Sequence, residues 1–271
     1  MFNSKKKKIL KSLANLIRQD ILNISHMAKS SHLGSCLSIV DILTVFYKST
    51  ISSNLKRKIN LKYQFILSKG HACLALYCTL YRSGILKKNF LQTYGNNNSL
   101  LMQHVSHKVP GISFSTGSLG HGLPVATGLA LSSKLKKDKK KIFVLLSDGE
   151  LDEGTTWESL MFAAHHKLNN LIVIIDYNKL QSLTFVKKTI NVEPLENKFK
   201  SFGCNVRKIN GHDYSQIEKI FLTNNKNKPL VVIANTVKGK GVSFMENKIE
   251  WHYKSPNNEE LEKALKELKD A

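Results

Sequence analysis

The chain alternates between apolar spacings typical of helices and continuous apolar runs typical of buried strands. Apolar residues three and four positions apart predict helices over residues 9–28, 38–47, 72–82, 119–135, 157–168, 214–222 and 259–268. Runs of strand length predict buried strands at 141–146, 171–176, 204–209 and 230–236. Such strands, alternating with helices, indicate an α/β fold in which helices cover both faces of a parallel sheet.

A polar connection separates the first three helices from this alternating part. It runs through Gly95 and the asparagines that follow toward Pro110 and Gly111, and its length makes it a candidate loop or lid. No internal repeat divides the chain, and 271 residues suit one large domain. We therefore expect a single domain over residues 1–271.

Composition excludes several classes of protein. Hydrophobic residues make up 42% of the chain and charged residues 23%, which is the globular range and not that of a disordered protein. No apolar run approaches the roughly 20 residues of a membrane-spanning helix, and no apolar signal region follows the basic N-terminus. The four cysteines have neither the spacing of a metal site nor the density of a disulfide scaffold. We expect a cytoplasmic protein with reduced thiols and no membrane association.

The charge of the chain raises a separate hypothesis. Against 20 Asp and Glu, the 41 Lys and Arg give a net charge of +21, which would attract the phosphates of a nucleic acid. Only four of these cations are arginines: Arg18, Arg57, Arg82 and Arg207. Lysine is a hydrated point charge without the planar fork by which arginine reads bases, and the lysines are scattered along the chain. A solvated lysine-rich surface is the favoured interpretation, and nucleic-acid binding is the alternative.

Candidate chemistry is concentrated where two of the predicted strands stop. Asp148-Gly149 comes at the end of one strand and Asn178 at the end of the next, 30 positions later, which is the length of one strand–helix–strand unit. Ligands of open parallel sheets bind outside the carboxyl ends of the strands, so both side chains can face one crevice. A carboxylate, an amide oxygen and a nearby carbonyl suit Mg²⁺ whose other ligands are water and phosphate. The alternative is a pair of helix-capping and turn residues.

Longer motifs surround these strand ends. In chain order they are Ser31-His32-Leu33-Gly34, Leu67-Ser68-Lys69-Gly70-His71-Ala72, Pro110-Gly111-Ile112, the runs 115–122, 147–154 and 162–171, Asp176-Tyr177-Asn178, and Lys238-Gly239-Lys240-Gly241. In order and spacing they resemble the transketolase family, and specifically the separately encoded N-terminal subunit of a split transketolase. The resemblance covers nearly the whole chain.

For the cofactor, the resemblance implies thiamine diphosphate with Mg²⁺. Asp148 and Asn178 match the Mg²⁺ ligands of the family, and the main-chain carbonyl of Leu180 matches a third. Gly149 matches a position against the diphosphate. The residues that match the loop alongside the cofactor are Gly117 and Leu119.

Around the diphosphate and the sugar, the resemblance implies four histidines: His32, His71, His104 and His252. Imidazoles suit this place because they bond hydroxyls and phosphate oxygens and move protons near neutral pH. His71 is also expected to contact the cofactor, and His107 is the alternative to His104. Otherwise His32 and His71 would be polar helix caps and His252 a surface residue. Glu153 matches an acid near the subunit interface, in the carboxylate network between paired active sites.

Three positions depart from the common family pattern. Ser147 replaces the first glycine of Gly-Asp-Gly, His121 stands where Gln is frequent, and Tyr253 stands where a glycine often follows the histidine. None of the three is an expected Mg²⁺ ligand.

The resemblance also implies a partner. In the family a second domain binds the pyrimidine ring of the cofactor, and we expect that domain and the C-terminal domain on a complementary chain. The predicted function is transfer of a two-carbon ketol unit from a ketose phosphate to an aldose phosphate, in a heterotetramer with two copies of each subunit. This chain alone is expected to be inactive. The alternatives are a subunit of another thiamine diphosphate enzyme, similar to deoxyxylulose phosphate synthase, and a non-catalytic basic nucleic-acid-binding protein that retains the fold.

Overall fold

In the part of the chain that the structure describes, the helices pack on a single sheet of five parallel strands. The computed structural model describes residues 2–51 and 62–270. The strands are β1 (Tyr63–Leu67), β2 (Lys141–Ser147), β3 (Leu171–Tyr177), β4 (Asn205–Asn210) and β5 (Leu230–Asn235). They lie in the order β1-β2-β3-β5-β4, and every neighbouring pair is parallel. The predicted α/β fold with a parallel sheet is confirmed.

Helices fill the connections between the strands. They are α1 (Ser4–Ala28), α2 (Leu33–Ser38), α3 (Val40–Ile51), α4 (Cys73–Arg82), α5 (Lys88–Leu91), α6 (Gly122–Lys136), α7 (Gly154–His165), α8 (Val186–Thr189), α9 (Leu195–Ser201), α10 (Tyr214–Leu222) and α11 (Asn258–Asp270). Single 3₁₀ turns cover Gly70–Ala72, Asp148–Asp152 and Ile249–His252.

The two faces of the sheet belong to two hydrophobic cores. Along β2, Phe143 and Leu145 pack with α1, α3, α4 and α10, whereas Val144 and Leu146 pack with α6, α7 and α9. Successive side chains of a strand point to opposite faces, so a sheet covered on both faces needs apolar residues at every position. This is why the central strands are continuous apolar runs.

The strand register brings the carboxyl ends of the central strands level with one another. Ser147 of β2 lies opposite Asp176 of β3, which lies opposite Ala234 of β5. The segments that leave β1, β2, β3 and β5 therefore start at the same edge of the sheet. The polar motifs of the sequence are on these segments.

Several predicted element boundaries are wrong. The sequence predicts no helix over Leu33–Ser38, where α2 lies, and the second predicted helix begins at Val40 instead of residue 38. Leu119 precedes α6 in a turn that contains Gly120 at φ 79°. The helix predicted over 157–168 is α7, which begins and ends three residues earlier. The strand β1 was not predicted.

The structure also bears on two expectations from composition. Within residues 2–51 and 62–270, no helix is both long and apolar enough to cross a membrane. All four cysteines are free thiols with buried side chains. Arg57, one of the four arginines, lies outside the described residues.

Candidate functional site

A cavity of about 360 Å³ opens at the carboxyl edge of the sheet. Every site residue expected from the sequence lines it: His32, His71, His104, Gly117, Leu119, Asp148, Gly149, Glu153, Asn178, Leu180 and His252. These residues come from segments that are far apart in sequence. Parallel strands bring them together because their carboxyl ends share one edge.

Asp148 and Asn178 are held side by side at the floor of the cavity by one turn of backbone. The N–H of Lys179 donates to Asp148 Oδ2 at 2.7 Å, and the N–H of Leu180 donates to Asn178 Oδ1 at 3.0 Å. Both side chains are buried. Two side-chain oxygens, the expected Mg²⁺ ligands, are thus fixed beside Leu180, which also lines the cavity.

A buried ion pair behind this turn sets the orientation of the Asn178 amide. Asp176 Oδ2 accepts from Lys69 Nζ at 2.5 Å and from Asn178 Nδ2 at 3.1 Å. Because the amide nitrogen is bonded to Asp176, the amide oxygen is the atom that accepts from the N–H of Leu180, and its second acceptor position is left for a ligand. Asp176 and Lys69 are 0% and 1% exposed, so the pair is part of the interior.

Among residues 2–51 and 62–270, no lysine or arginine forms an ion pair with the Asp148 carboxylate. Burial, with the nearby charge of Asp176, raises the pKa of Asp148 to about 7, although Lys69 and Lys238 act in the opposite direction. A buried carboxylate with a raised pKa is stabilised in its ionised form by a bound cation. Within the described part of the chain, no group of three or more His, Cys, Asp or Glu could hold a metal ion. A donor set of one carboxylate, one amide and one carbonyl fits Mg²⁺ completed by phosphate and water better than it fits Zn²⁺.

Lys238 places a second cation in the cavity. Its buried Nζ donates to the carbonyls of Leu180 and Gln181 at 3.2 and 2.9 Å, and to His252 Nδ1 at 3.0 Å. Burial and the charge of Lys69 lower its pKa to about 8. Lys69 is paired with Asp176, so Lys238, which has no carboxylate partner among the described residues, is the cation of this end that suits a polyanion such as a diphosphate.

The four expected histidines form one group above this floor. The ring of His32 lies 5.2 Å from that of His71, 6.1 Å from that of His104 and 4.9 Å from that of His252. Burial and the nearby lysines lower the pKa of His32 to about 4 and that of His252 to about 3, and the pKa of His71 well below its usual value. These three rings are therefore neutral at pH 7.

The backbone holds two of these histidines against each other. The N–H of His32, a residue at φ 68°, donates to the carbonyl of His252 at 2.6 Å. Since Lys238 donates to Nδ1 of His252, the neutral ring of His252 carries its proton on Nε2. His252 is thus a hydrogen-bond donor toward a ligand.

The loop between α5 and α6 supplies another wall. His104 is exposed toward the cavity, and a Cβ built on Gly117 would lie 3.4 Å from its ring. His107 is also exposed, but its Nδ1 is bonded to Ser115 Oγ at 2.7 Å and it does not line the cavity. The geometry therefore favours His104 over His107 as the site residue.

Two glycines leave room for a ligand against the main chain. No described atom lies within 3.4 Å of a Cβ built on Gly117 or on Gly149, where Gln181 is nearest at 3.7 Å.

Glu153 is exposed at the mouth of the cavity. His121 does not line the cavity, and its Nδ1 is bonded to the carbonyl of Leu119 at 3.0 Å.

Comparison with known proteins gives this geometry a context. Residues 9–269 match the family model described as "Transketolase, thiamine diphosphate binding domain". The chain belongs to the transketolase family. It is 43% identical over 265 residues to one of the subunits of the apulose-4-phosphate transketolase of Actinobacillus succinogenes, with 96% of each chain covered. It is 34% identical over 263 residues to the 6-deoxy-6-sulfo-D-fructose transketolase subunit SqwG of a Clostridium species, again with 96% of each covered.

Solved transketolases share its fold. The transketolase of Campylobacter jejuni superposes with a TM-score of 0.87 at 30% identity. The alignment covers 97% of this chain and 43% of that transketolase. This transketolase-family chain therefore corresponds in length to its relatives named as subunits and to less than half of the solved enzyme.

Sequence reasoning missed two residues of the cavity in this transketolase-family chain. Lys69 and Lys238 were not distinguished from the lysines assigned to a solvated surface, yet they are 1% exposed and line the cavity. Both lie in glycine-containing motifs at strand ends, Ser68-Lys69-Gly70 and Lys238-Gly239. That position was the available signal, since it places a lysine where ligands of parallel sheets bind.

Proposed function

We propose that the chain is the diphosphate- and Mg²⁺-binding subunit of a two-chain transketolase. The enzyme moves a two-carbon ketol unit from a ketose phosphate to an aldose phosphate. The observation that carries this proposal is the single cavity in which Asp148, Asn178 and two buried lysines lie below four histidines. An anion-binding floor beneath neutral, proton-handling side chains suits a diphosphate cofactor and a polyhydroxy substrate.

The floor of the cavity is the proposed cofactor-anchoring region. Asp148, Asn178 Oδ1 and the carbonyl of Leu180 would hold Mg²⁺, while Gly149 gives phosphate oxygens access to the main chain. Lys238 would balance the remaining negative charge. When bound, thiamine diphosphate supplies the chemistry that breaks and forms the carbon–carbon bond beside a sugar carbonyl.

The histidines would handle the hydroxyl groups of the sugar. Because the pKa of His32 and of His252 is well below 7, each ring has one donor and one acceptor nitrogen at neutral pH. His252 offers its Nε2 proton, and His32 contacts Ser31 Oγ through Nδ1 at 3.2 Å, which leaves Nε2 for a ligand. His71 and His104 would complete the set of groups that bind hydroxyls and move protons in the cavity.

A complementary chain is part of the proposal. Relatives of the same length are named as subunits of a transketolase, which supports a second chain with the pyrimidine-binding half. Glu153, exposed at the mouth of the cavity, would face that chain. We propose two copies of each of the two chains, which sedimentation of the mixed proteins would test by the mass of the complex.

The named relatives suggest which donors to examine first. The relative at 43% identity is named for apulose 4-phosphate, and a relative at 34% for a 6-deoxy-6-sulfo sugar. Each of these names describes a sugar with a strongly acidic group, a phosphate in one and a sulfonate in the other. We propose a ketose phosphate donor for this chain, with apulose 4-phosphate as the first compound and the sulfonated sugar as the second.

Reconstitution tests the proposal directly. The chain, its complementary partner, thiamine diphosphate and Mg²⁺ are mixed, and ketol transfer is followed with each donor. We expect activity that requires all components and is lost in Asp148→Ala, while the matched control Glu262→Ala, an exposed acid on α11, remains active. An inactive mixture, together with unchanged thiamine diphosphate affinity in Asp148→Ala, would overturn the assignment. Salt-sensitive DNA binding at physiological ionic strength would instead favour a basic nucleic-acid-binding protein.

A further inference from the structure

The loop that carries Lys238 has little conformational freedom of its own. Gly239 has φ 81°, and a Cβ at this position would lie 2.2 Å from the carbonyl oxygen of Met245. Gly241 has φ 101°, and its Cβ would lie 2.8 Å from Cδ of Arg18. Both glycines are therefore required for the loop to pack where it does. Arg18 is one of the side chains that lie behind the loop.

One buried carboxylate, that of Asp41 on α3, organises those side chains. Asp41 Oδ2 accepts from Arg18 Nη2 and from His212 Nδ1, each at 2.7 Å, and Oδ1 accepts from the hydroxyl of Tyr214 at 2.9 Å. Asp41 and Arg18 are 3% and 4% exposed. Burial alone would raise the pKa of Asp41, but Arg18 and His212 hold it below its usual value, so Asp41 is ionised.

Two of these partners reach the loop on either side of Lys238. His212 Nε2 accepts from the N–H of Val237 at 2.9 Å, and Arg18 Nε donates to the carbonyl of Lys240 at 2.9 Å. Because Nε2 accepts from the N–H of Val237, the ring proton of His212 lies on Nδ1, which donates to Asp41. The loop also has backbone bonds, such as that from the N–H of Gly239 to the carbonyl of Gly34 at 2.9 Å. The two side-chain contacts from His212 and Arg18 lie on either side of Lys238, and both lead back to Asp41.

None of the three residues that hold the loop lines the cavity. We propose that His212 is a positioning residue for Lys238, supported by Asp41, and that it acts on cofactor binding only through the loop 237–241. This inference rests on the proposed function, because it assumes that Lys238 faces the diphosphate. Arg18, which is also bonded to Asp41, makes the second side-chain contact with the loop, at the carbonyl of Lys240.

Binding of thiamine diphosphate with Mg²⁺ to the full chain, measured by titration calorimetry, tests the inference. His212→Phe keeps an aromatic ring but removes both hydrogen bonds, and we expect affinity to fall about tenfold, as for loss of a supporting residue behind a ligand. His212→Gln can donate to Asp41 and accept from Val237, so it should recover affinity to within about threefold of the original chain. Tyr214→Phe is the matched control, because it removes a bond to Asp41 that does not lead to the loop.

A double-mutant cycle separates positioning from general destabilisation. Lys238→Met should weaken binding about 100-fold, since it removes a charge-assisted contact. If His212 acts through Lys238, adding His212→Phe to that variant produces no further loss beyond about threefold. Thermal unfolding of each variant shows whether affinity follows stability.

Each outcome has a distinct meaning. Three results support the proposal. The affinity losses of His212→Phe and Lys238→Met are not additive, His212→Gln recovers affinity, and Tyr214→Phe leaves affinity unchanged. Additive losses, or equal affinity losses in His212→Phe and Tyr214→Phe, would show a merely structural role and overturn it. Failure of the original chain to bind millimolar thiamine diphosphate with Mg²⁺ would contradict the proposed function itself, and this inference with it.

Discussion

Replacing Lys69 by methionine tests whether the buried ion pair behind the site is needed for stability. Lys69 Nζ lies 2.5 Å from Asp176 Oδ2, with both side chains almost fully buried. Methionine has a similar length and is apolar, so the change in packing contributes little to the loss of stability. The main effect is a buried carboxylate without its cation.

The magnitude follows from what remains around Asp176. Breaking a buried pair by removal of one partner costs about 3–5 kcal/mol. Asp176 still accepts from Ser38 at 2.7 Å, from Asn178 at 3.1 Å and from Thr236, which places the expected loss near the lower end, about 3–4 kcal/mol. For a domain of this size each kcal/mol shifts the melting temperature by about 2–4 °C, so a fall of about 10 °C is expected.

Urea unfolding followed by circular dichroism at pH 7 measures this loss. The control is Lys266→Met, an exposed lysine on α11, which should change the free energy of unfolding by less than about 0.5 kcal/mol. Adding Asp176→Asn to Lys69→Met removes the uncompensated charge and should recover part of the loss. The reasoning is refuted if Lys69→Met lowers the free energy of unfolding by less than about 1 kcal/mol. It is also refuted if the losses caused by Lys69→Met and Asp176→Asn simply add in the double variant.

Three further predictions concern single sites. Gly128→Ala, at an exposed position inside α6 with no atom within 4 Å of the new Cβ, should raise the free energy of unfolding by about 1 kcal/mol in urea titrations. Gly239→Ala forces a Cβ to 2.2 Å from the Met245 carbonyl at positive φ; it should cost about 1–3 kcal/mol and weaken thiamine diphosphate binding in calorimetry. Asp41→Asn should lower stability by about 3 kcal/mol at pH 7, because it leaves Arg18 buried without its partner. Folding lowers the pKa of Asp41 below its usual value of 3.8. The difference in free energy of unfolding between the original chain and Asp41→Asn should therefore persist down to about pH 5 and shrink as acid protonates Asp41 in the original chain. A difference that does not change with pH would contradict this prediction.

The central strands could be predicted because both of their faces are buried. β2, β3 and β5 read as continuous apolar runs for that reason, and their predicted bounds are within one residue of the structure. β1 was missed because it is short and half-buried along Tyr63–Phe65, and Gln64 interrupts its apolar run. Its position at the edge of the sheet is not the reason, because β4 lies at the other edge and was predicted.

The short helix α2 was missed for a different reason. His32 precedes it in the left-handed region without a side-chain cap, and Gly34 lies within its first turn. Local propensity argues against a helix at such a sequence, but all of Leu33–Ser38 is buried, and tertiary packing overrides propensity.

For the site, the sequence located the residues that follow the strands but not the network that orients them. Asp148 and Asn178 were found because carboxyl strand ends are the expected ligand edge. The bonds from Asp41 through His212 to Val237 join segments 171 and 25 residues apart, and no local pattern encodes such contacts. The same holds for Lys69, whose partner Asp176 is 107 positions away.

The two buried acids that follow β2 show how burial and hydrogen bonding divide structural from ligand-binding carboxylates. Glu150 is 0% exposed, and its oxygens accept from Ser68, from the N–H of Gly120 at 3.1 Å and from the N–H of Ser147 at 2.8 Å. Asp148 is as deeply buried, yet among the described residues the only donor assigned to it is the N–H of Lys179. A buried carboxylate with unfilled acceptor positions costs free energy unless a cation or donor completes it. Glu150 is completed by the fold and joins β1, β2 and the turn before α6, whereas Asp148 is the carboxylate that we propose a ligand completes.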